Sequence, residues 1–157
     1  MKLKINLIGI LVVALVVFAG CASTSDVGKS GDGNAVLSLD VDSKNLGDIS
    51  QSEGIMSTEF TITNDGSDDL IITAMDTSCM CTTAQIITDD ATGPVYGMST
   101  HGNPTGESVI EPGTSATLKL FYDPNVHGDL RGPVTRMVNI MSNAGTKQIR
   151  IKLNQVE

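Results

Sequence analysis

Apolar and polar residues alternate with a period of two along most of the chain beyond residue 35. Leu37, Leu39 and Val41 alternate with Ser38 and Asp40, and Met56, Thr58, Phe60 and Ile62 alternate with Ser57, Glu59, Thr61 and Thr63. Residues two apart on a strand share a face, so each run predicts a half-buried β-strand. Asn64-Asp65-Gly66-Ser67 then reads as a turn, because Asn and Asp bond their own backbone and Gly accepts positive φ. Leu70 to Met75 predicts a more buried strand, and Cys79 to Ile87 a further extended run. Ala116 to Tyr122, Val134 to Met141 and Gln148 to Leu153 complete the set. No stretch sustains a helical period. About seven short strands with turn signals between them predict an all-β fold, an antiparallel β-sandwich.

One stretch breaks the rhythm. Residues 88–109, TDDATGPVYGMSTHGNPTGESV, separate the cysteine run from Glu111-Pro112-Gly113. Loops longer than about 12–15 residues are uncommon unless functional or disordered. This one holds Val95, Tyr96, Met98 and His101, side chains that a disordered segment tends to lack. It is expected to be a long loop insert within a sandwich domain over residues 35–157.

The first 34 residues read as an address. Lys2 and Lys4 precede an apolar run from Ile5 to Ala19, interrupted only by Asn6 and Gly9. The run is short for a bilayer span of about 20 residues and fits a secretory signal over residues 1–20. It ends in Phe18-Ala19-Gly20-Cys21, which resembles the bacterial lipobox, with Phe18 where Leu is usual. The resemblance implies lipidation of Cys21, palmitate included, and a protein that is anchored to a membrane without spanning it. Ala22 after the cysteine implies the periplasmic face of the outer membrane in a host with two membranes. An ordinary signal cut near Ala19, leaving Cys21 a free thiol, is the other reading. Residues 21–34 are rich in Ser, Gly and Asp and read as a flexible tether.

Charge removes some functions. The sequence has 18 acidic and 10 basic residues, and Lys2 and Lys4 lie in the leader with no acid beside them. The chain beyond the leader has eight basic residues against 18 acidic, a net charge near −10. Such a surface repels phosphate, so nucleic acid is not an expected partner. Gly28-Lys29-Ser30 is no phosphate-binding loop, because Ser23 stands where its first glycine is required. The sequence contains no Gly-x-Ser-x-Gly and no His-Glu-x-x-His, so no hydrolase motif points to an enzyme.

Three segments together resemble a family. Asn64-Asp65-Gly66 with Leu70-Ile71-Ile72 resembles its turn-then-strand hairpin. Thr77-Ser78-Cys79-Met80-Cys81-Thr82 resembles its Thr-Ser-Cys-x-Cys-Thr strand, with Met80 where Gly is common. Glu111-Pro112-Gly113, with Leu118 to Tyr122 and Asp123-Pro124, resembles its third segment. The family is the bacterial exported domain of unknown function 1573, similar to the Ig-like modules of ciliary and centrosomal proteins named after Hydin. The resemblance covers roughly residues 36–157. It implies an Ig-like sandwich and a cell-envelope setting, and no reaction.

Candidate chemistry centres on Cys79 and Cys81. On a strand the two sulfurs share a face and Met80 lies opposite. Three readings stay open. The thiols fill the core, since free Cys is among the most buried residue types. They form a disulfide, which export favours, although an extended i, i+2 pair stands near the upper Cα separation for one; such a pair would suit thiol–disulfide exchange. Or they bind a soft metal, with thiolate, thioether and imidazole selecting Cu(I) and, less readily, Zn. For the third reading the candidate ligands are Cys79, Cys81, Met98, His101 and His127. The expectation is a lipid-anchored Ig-like binding or scaffold module, with an envelope protein as a possible partner. The alternatives are a redox protein using the cysteine pair and a purely structural or adhesive module.

Overall fold

The computed structural model describes residues 34–102 and 104–157; the leader, Cys21 and nearly all of the tether lie outside the described residues. Ten strands are described: β1 (Leu37–Leu39), β2 (Ser43–Ser50), β3 (Met56–Asn64), β4 (Leu70–Thr77), β5 (Thr82–Ile87), β6 (Thr92–Tyr96), β7 (Ser108–Ile110), β8 (Ser115–Tyr122), β9 (Gly132–Ser142) and β10 (Gly145–Val156). They form two five-stranded sheets. One has the order β1-β3-β8-β5-β6 and the other β2-β10-β9-β4-β7. Every described pairing is antiparallel except β2 with β10, which is parallel.

The alternation in the sequence becomes the core. Phe60 and Ile62 of β3, Ile86 of β5 and Leu118 and Leu120 of β8 are buried on one sheet. Met75 of β4, Val138 and Ile140 of β9 and Ile149 and Ile151 of β10 are buried on the other. Burying each such side chain contributes about 1.5–3 kcal/mol. Their polar neighbours on the same strands face out, so each sheet has one apolar face and the two faces meet as a sandwich.

Three expectations change. The strand count rises from about seven to ten. One added strand is β2, Ser43-Lys44-Asn45-Leu46-Gly47-Asp48-Ile49-Ser50, an edge strand in which only Ile49 is fully buried. An edge strand with one wet face carries little apolar signal, and its alternation is broken where Leu46 and Gly47 together oppose Leu153. Gly47 takes φ 73° there, as a bulge of this kind requires.

The other two added strands come from the insert. Residues 88–109 are not one loop. β6 pairs with β5 and β7 pairs with β4, so the segment runs from the free edge of one sheet to the free edge of the other. Tyr96 is its buried pin, and its hydroxyl donates to Gly106 O at 2.9 Å. Pro94 and the glycines around these short strands hid them from a periodicity reading.

The Asn64–Ser67 turn is present, but it does not close a hairpin. It carries the chain from β3 in one sheet to β4 in the other.

Candidate functional site

Thr77 ends β4 in one sheet and Thr82 begins β5 in the other, so residues 78–81 carry the chain across the sandwich. The crossing needs a tight turn. Thr82 N donates to Cys79 O at 3.0 Å and closes it, and Thr77 Oγ1 donates to the same carbonyl at 3.1 Å. Ser78 is fixed to β9 twice: its N donates to Met137 O at 2.9 Å, and its Oγ accepts from Met137 N at 2.9 Å. Asp123 N donates to Cys81 O at 2.8 Å.

This corrects the expected strand over Cys79–Ile87, which begins three residues later. The extended-strand geometry that opposed a disulfide does not apply. The turn draws the two Cα atoms to 5.3 Å and the sulfurs are paired as a disulfide. Cys81 is buried, at 3% exposure, and Cys79 is half-buried against the core. Met80, at 53% exposure, points to solvent at the tip.

Each sulfur has a nitrogen beside it. His127 Nε2 lies 3.2 Å from Cys79 Sγ. Arg136 Nε donates to Cys81 Sγ at 3.0 Å. His127 comes from the loop between β8 and β9, which polar side chains hold in place. Gln155 Nε2 donates to Pro124 O at 2.9 Å, and Gln51 Nε2 donates to Gly128 O at 2.8 Å. Asn125 N donates to Asp123 Oδ1 at 2.9 Å, and Asn125 Nδ2 to Gln51 O at 3.2 Å. His127 itself is exposed, in a shallow depression shared with Val126, Leu130 and Arg136.

Arg136 is the site residue that the sequence reading missed. It sits on β9 in the same register as the buried Val134, Val138 and Ile140. A charged residue at an inward position is a signal in itself, because a buried charge needs a partner. Its guanidinium carbon stands 6.0 Å from the centre of the Tyr122 ring. Burial pushes the Tyr122 phenol up; Arg136 partly offsets that, and Asp123 adds to it. The Tyr122 hydroxyl donates to Gln155 Oε1 at 2.5 Å, so a buried polar pair lies close to the site.

The candidate metal ligands divide. Cys79, Cys81 and His127 place one ligand atom each within 4.8 Å of one another. His101 is exposed on the 3₁₀ turn Ser99–His101 and is not in that group; Met98, half-buried, precedes the same turn. That turn is tied to the end of β4 instead: Ser99 N donates to Asp76 Oδ1 at 2.7 Å and Thr77 N donates to Gly97 O at 3.1 Å.

A family model described as Protein of unknown function (DUF1573) matches residues 37–94. Over that stretch the chain resembles DUF1573. The matched stretch includes Asn64-Asp65-Gly66 and the whole cysteine turn, whereas Arg136, His127 and the Glu111-Pro112-Gly113 segment fall outside it. No curated protein matches.

Among solved structures, a protein of unknown function from Porphyromonas gingivalis W83 aligns with 83% of this chain at 18% identity and a TM-score of 0.58. The alignment covers 51% of that protein, so this chain spans about half its length. The ASH / PapD-like domain of human CEP192 (PapD-like domain 7) aligns over 79% of this chain and 87% of its own, at 11% identity and a TM-score of 0.52. At such identities the likeness shows the fold alone. The chain folds as an Ig-like β-sandwich.

Proposed function

We propose that the chain is a lipid-anchored envelope module whose Cys79–Cys81 pair is a reversible thiol–disulfide couple. The observation that carries this reading is that each sulfur has its own nitrogen, His127 Nε2 at 3.2 Å from Cys79 and Arg136 Nε at 3.0 Å from Cys81. A neighbouring cation or hydrogen-bond donor stabilises a thiolate, and thiolates are the attacking and leaving species of exchange.

Access sets the order of steps. A thiolate of a dithiol partner attacks the half-buried Cys79 sulfur and forms a mixed disulfide. The S–S bond to Cys81 breaks, and Cys81 leaves as a thiolate against the Arg136 guanidinium. The partner's second thiolate then attacks the partner's own sulfur in the mixed disulfide. Cys79 is released as a thiolate beside His127. Two electrons pass from the partner dithiol to this chain, and the reverse sequence returns them.

The envelope setting is supported by the Lys2/Lys4 leader, the apolar run and Phe18-Ala19-Gly20-Cys21, with the lipid on Cys21 as the tie to the membrane. Export into an oxidising compartment agrees with a paired Cys79 and Cys81. The partner would then be another envelope protein with a dithiol or disulfide.

The test is a redox titration of the purified chain in graded dithiothreitol, with free thiols counted by alkylation and mass. A reversible gain of two thiols, absent in Cys81→Ser, is the expected result. A pair that cannot be reoxidised, or that reacts only after denaturation, overturns the proposal.

A second reading rests on the 4.8 Å cluster. In the reduced chain Cys79, Cys81 and His127 could together hold Cu(I), with zinc as the harder alternative for the same donors. Titration of the reduced chain with Cu(I) against a competing chelator tests it, and no uptake at micromolar metal removes it.

A further inference from the structure

Four polar groups stand against the two sulfurs of the cysteine turn. Arg136 Nε and His127 Nε2 are two of them. The other two come from the turn itself. Cys81 N donates to Cys79 Sγ at 3.3 Å, and Thr82 Oγ1 lies 3.6 Å from Cys81 Sγ. A sulfur in a disulfide has no proton to give, so in these contacts it is the acceptor.

Thr82 is the most telling of the four. It is fully buried, at 0% exposure, and the Cys81 sulfur is the one hydrogen-bond partner of its hydroxyl among the described residues. Buried hydroxyls are ordinarily matched to a good acceptor, because burying one without a bond is unfavourable. A neutral disulfide sulfur is a weak acceptor. A thiolate is a charged one, and hydrogen bonds to charged groups are roughly twice as strong. Hydroxyl, guanidinium, amide and imidazole therefore all gain when the S–S bond opens. They are also in place beforehand. The turn is closed by Thr82 N on Cys79 O, and it is anchored by Asp123 N on Cys81 O and by the two bonds between Ser78 and Met137. None of these involves sulfur.

Such contacts favour the dithiol over the disulfide, and a couple whose reduced form is stabilised is an oxidant. Resting on the reading of the pair as a reversible couple, we infer that it is an electron acceptor that oxidises reduced cysteine pairs of other proteins, with Thr82 Oγ1 donating to the Cys81 thiolate that forms. The partner's two thiols become a disulfide. The Cys79–Cys81 bond breaks and takes up the two electrons. The two protons go to the new cysteine thiols or, for a sulfur that stays a thiolate, to water. The substrate class is a protein dithiol.

The test is the equilibrium of the purified full chain with glutathione buffers of graded ratio at fixed pH, with free thiols counted by alkylation and mass. Wild type should be reduced by reduced glutathione, which a structural disulfide resists. Thr82→Val should shift the equilibrium constant toward the disulfide by about fivefold to tenfold, and Thr82→Ser should recover most of that. The urea midpoint of oxidised Thr82→Val should stay near that of wild type, because the bond lost in that state is weak. Oxidised chain mixed with a peptide carrying two reduced cysteines should gain two thiols as the peptide loses two. A pair that dithiothreitol reduces reversibly but glutathione leaves oxidised overturns this inference and spares the couple; a pair that dithiothreitol does not reduce reversibly overturns both. An equilibrium constant that Thr82→Val leaves unmoved, or moves toward the dithiol, also overturns the inference.

Discussion

Arg136 Nε stands 3.0 Å from Cys81 Sγ, although the two residues are 55 apart in sequence and lie in different parts of the sandwich. One is an inward-facing member of β9 and the other closes the turn between the sheets. A hydrogen bond to a charged group contributes about 1.5–3 kcal/mol. Removing this donor should therefore cost about a factor of ten or more in the thiolate population of reduced Cys81 at neutral pH. In a Cys79→Ser background, where Cys81 is the one thiol of the pair, Arg136→Met is expected to slow alkylation by about that factor, with Arg136→Lys recovering part of the rate. Stopped-flow alkylation of the Cys79→Ser chain with and without each Arg136 change, each checked for unchanged circular dichroism, measures it.

His127 should act on the other sulfur alone. Its Nε2 touches Cys79 and its loop is held by Gln51 and Gln155, not by the imidazole. His127→Ala should therefore fold normally. If the reduced chain takes up Cu(I), the variant should bind it at least about tenfold more weakly, since about 1.4 kcal/mol of ligand energy corresponds to that factor. Competition with a Cu(I) chelator reads the loss directly.

Much of this molecule was legible in its residues. The parity of β3, β8 and β10 predicted which side chains are buried, because period-two alternation is imposed wherever one face of a sheet is wet. The cysteine pair was visible, but not its geometry. Thr, Ser and Cys suit both a strand and a turn, and only the topology reveals that Thr77 and Thr82 belong to different sheets. His127 was nameable as a loop histidine, yet its approach to Cys79 depends on a loop fixed by Gln51 and Gln155 from distant parts of the chain. Met98 and His101 looked like partners of the cysteines because they are soft donors in an over-long segment. That segment instead contributes an edge strand to each sheet.

The phenol of Tyr122 and the amide of Gln155 form a buried pair at 2.5 Å, and the same amide holds Pro124 at 2.9 Å. Tyr122→Phe would leave Gln155 Oε1 without that donor. The cost should be about 1–3 kcal/mol. It should appear as a lower urea midpoint with an unchanged slope. Because Gln155 also steadies the loop of His127, exchange at Cys79 should slow in the same variant.

Stability should fall in alkali. Burial is the main cause that raises the phenol of Tyr122, and burial followed by Glu107 raises that of Tyr96. The unfolded chain then loses these protons at lower pH than the folded one. The stabilisation is complete below the ordinary tyrosine value of about 10 and is lost as pH rises from there toward the folded values. Urea midpoints between pH 8 and 11 should decline above about pH 10, and Tyr122→Phe should flatten part of that decline.

The turn between β3 and β4 should be the least forgiving position outside the core. Asn64 is fully buried and uses its whole amide: Oδ1 accepts from Val36 N at 3.3 Å and Gly66 N at 3.0 Å, while Nδ2 donates to Asp68 O at 2.8 Å and Ile110 O at 2.9 Å. Those bonds join the segment before β1, the turn itself and β7. Gly66 lies under the first of these. A Cβ there would run into Asn34 O and stand 2.7 Å from both Ala35 Cα and Val36 N, which are backbone atoms with no side chain to swing aside. Gly66→Ala must therefore push residues 34–36 away from the sheet, breaking the contacts of Asp65 N with Val36 O and of Ser67 N with Asn34 O, both 3.0 Å. Overpacking of this kind costs about 1–3 kcal/mol. Asn64→Ala leaves several buried backbone groups unpaired and should cost more, about 3–5 kcal/mol, an exceptional value for one substitution. Chemical denaturation of both variants, with Asp65→Ala as a neighbouring control expected to cost under about 0.5 kcal/mol, checks the order. A Gly66→Ala chain as stable as wild type would show that the segment before β1 is not held against the turn.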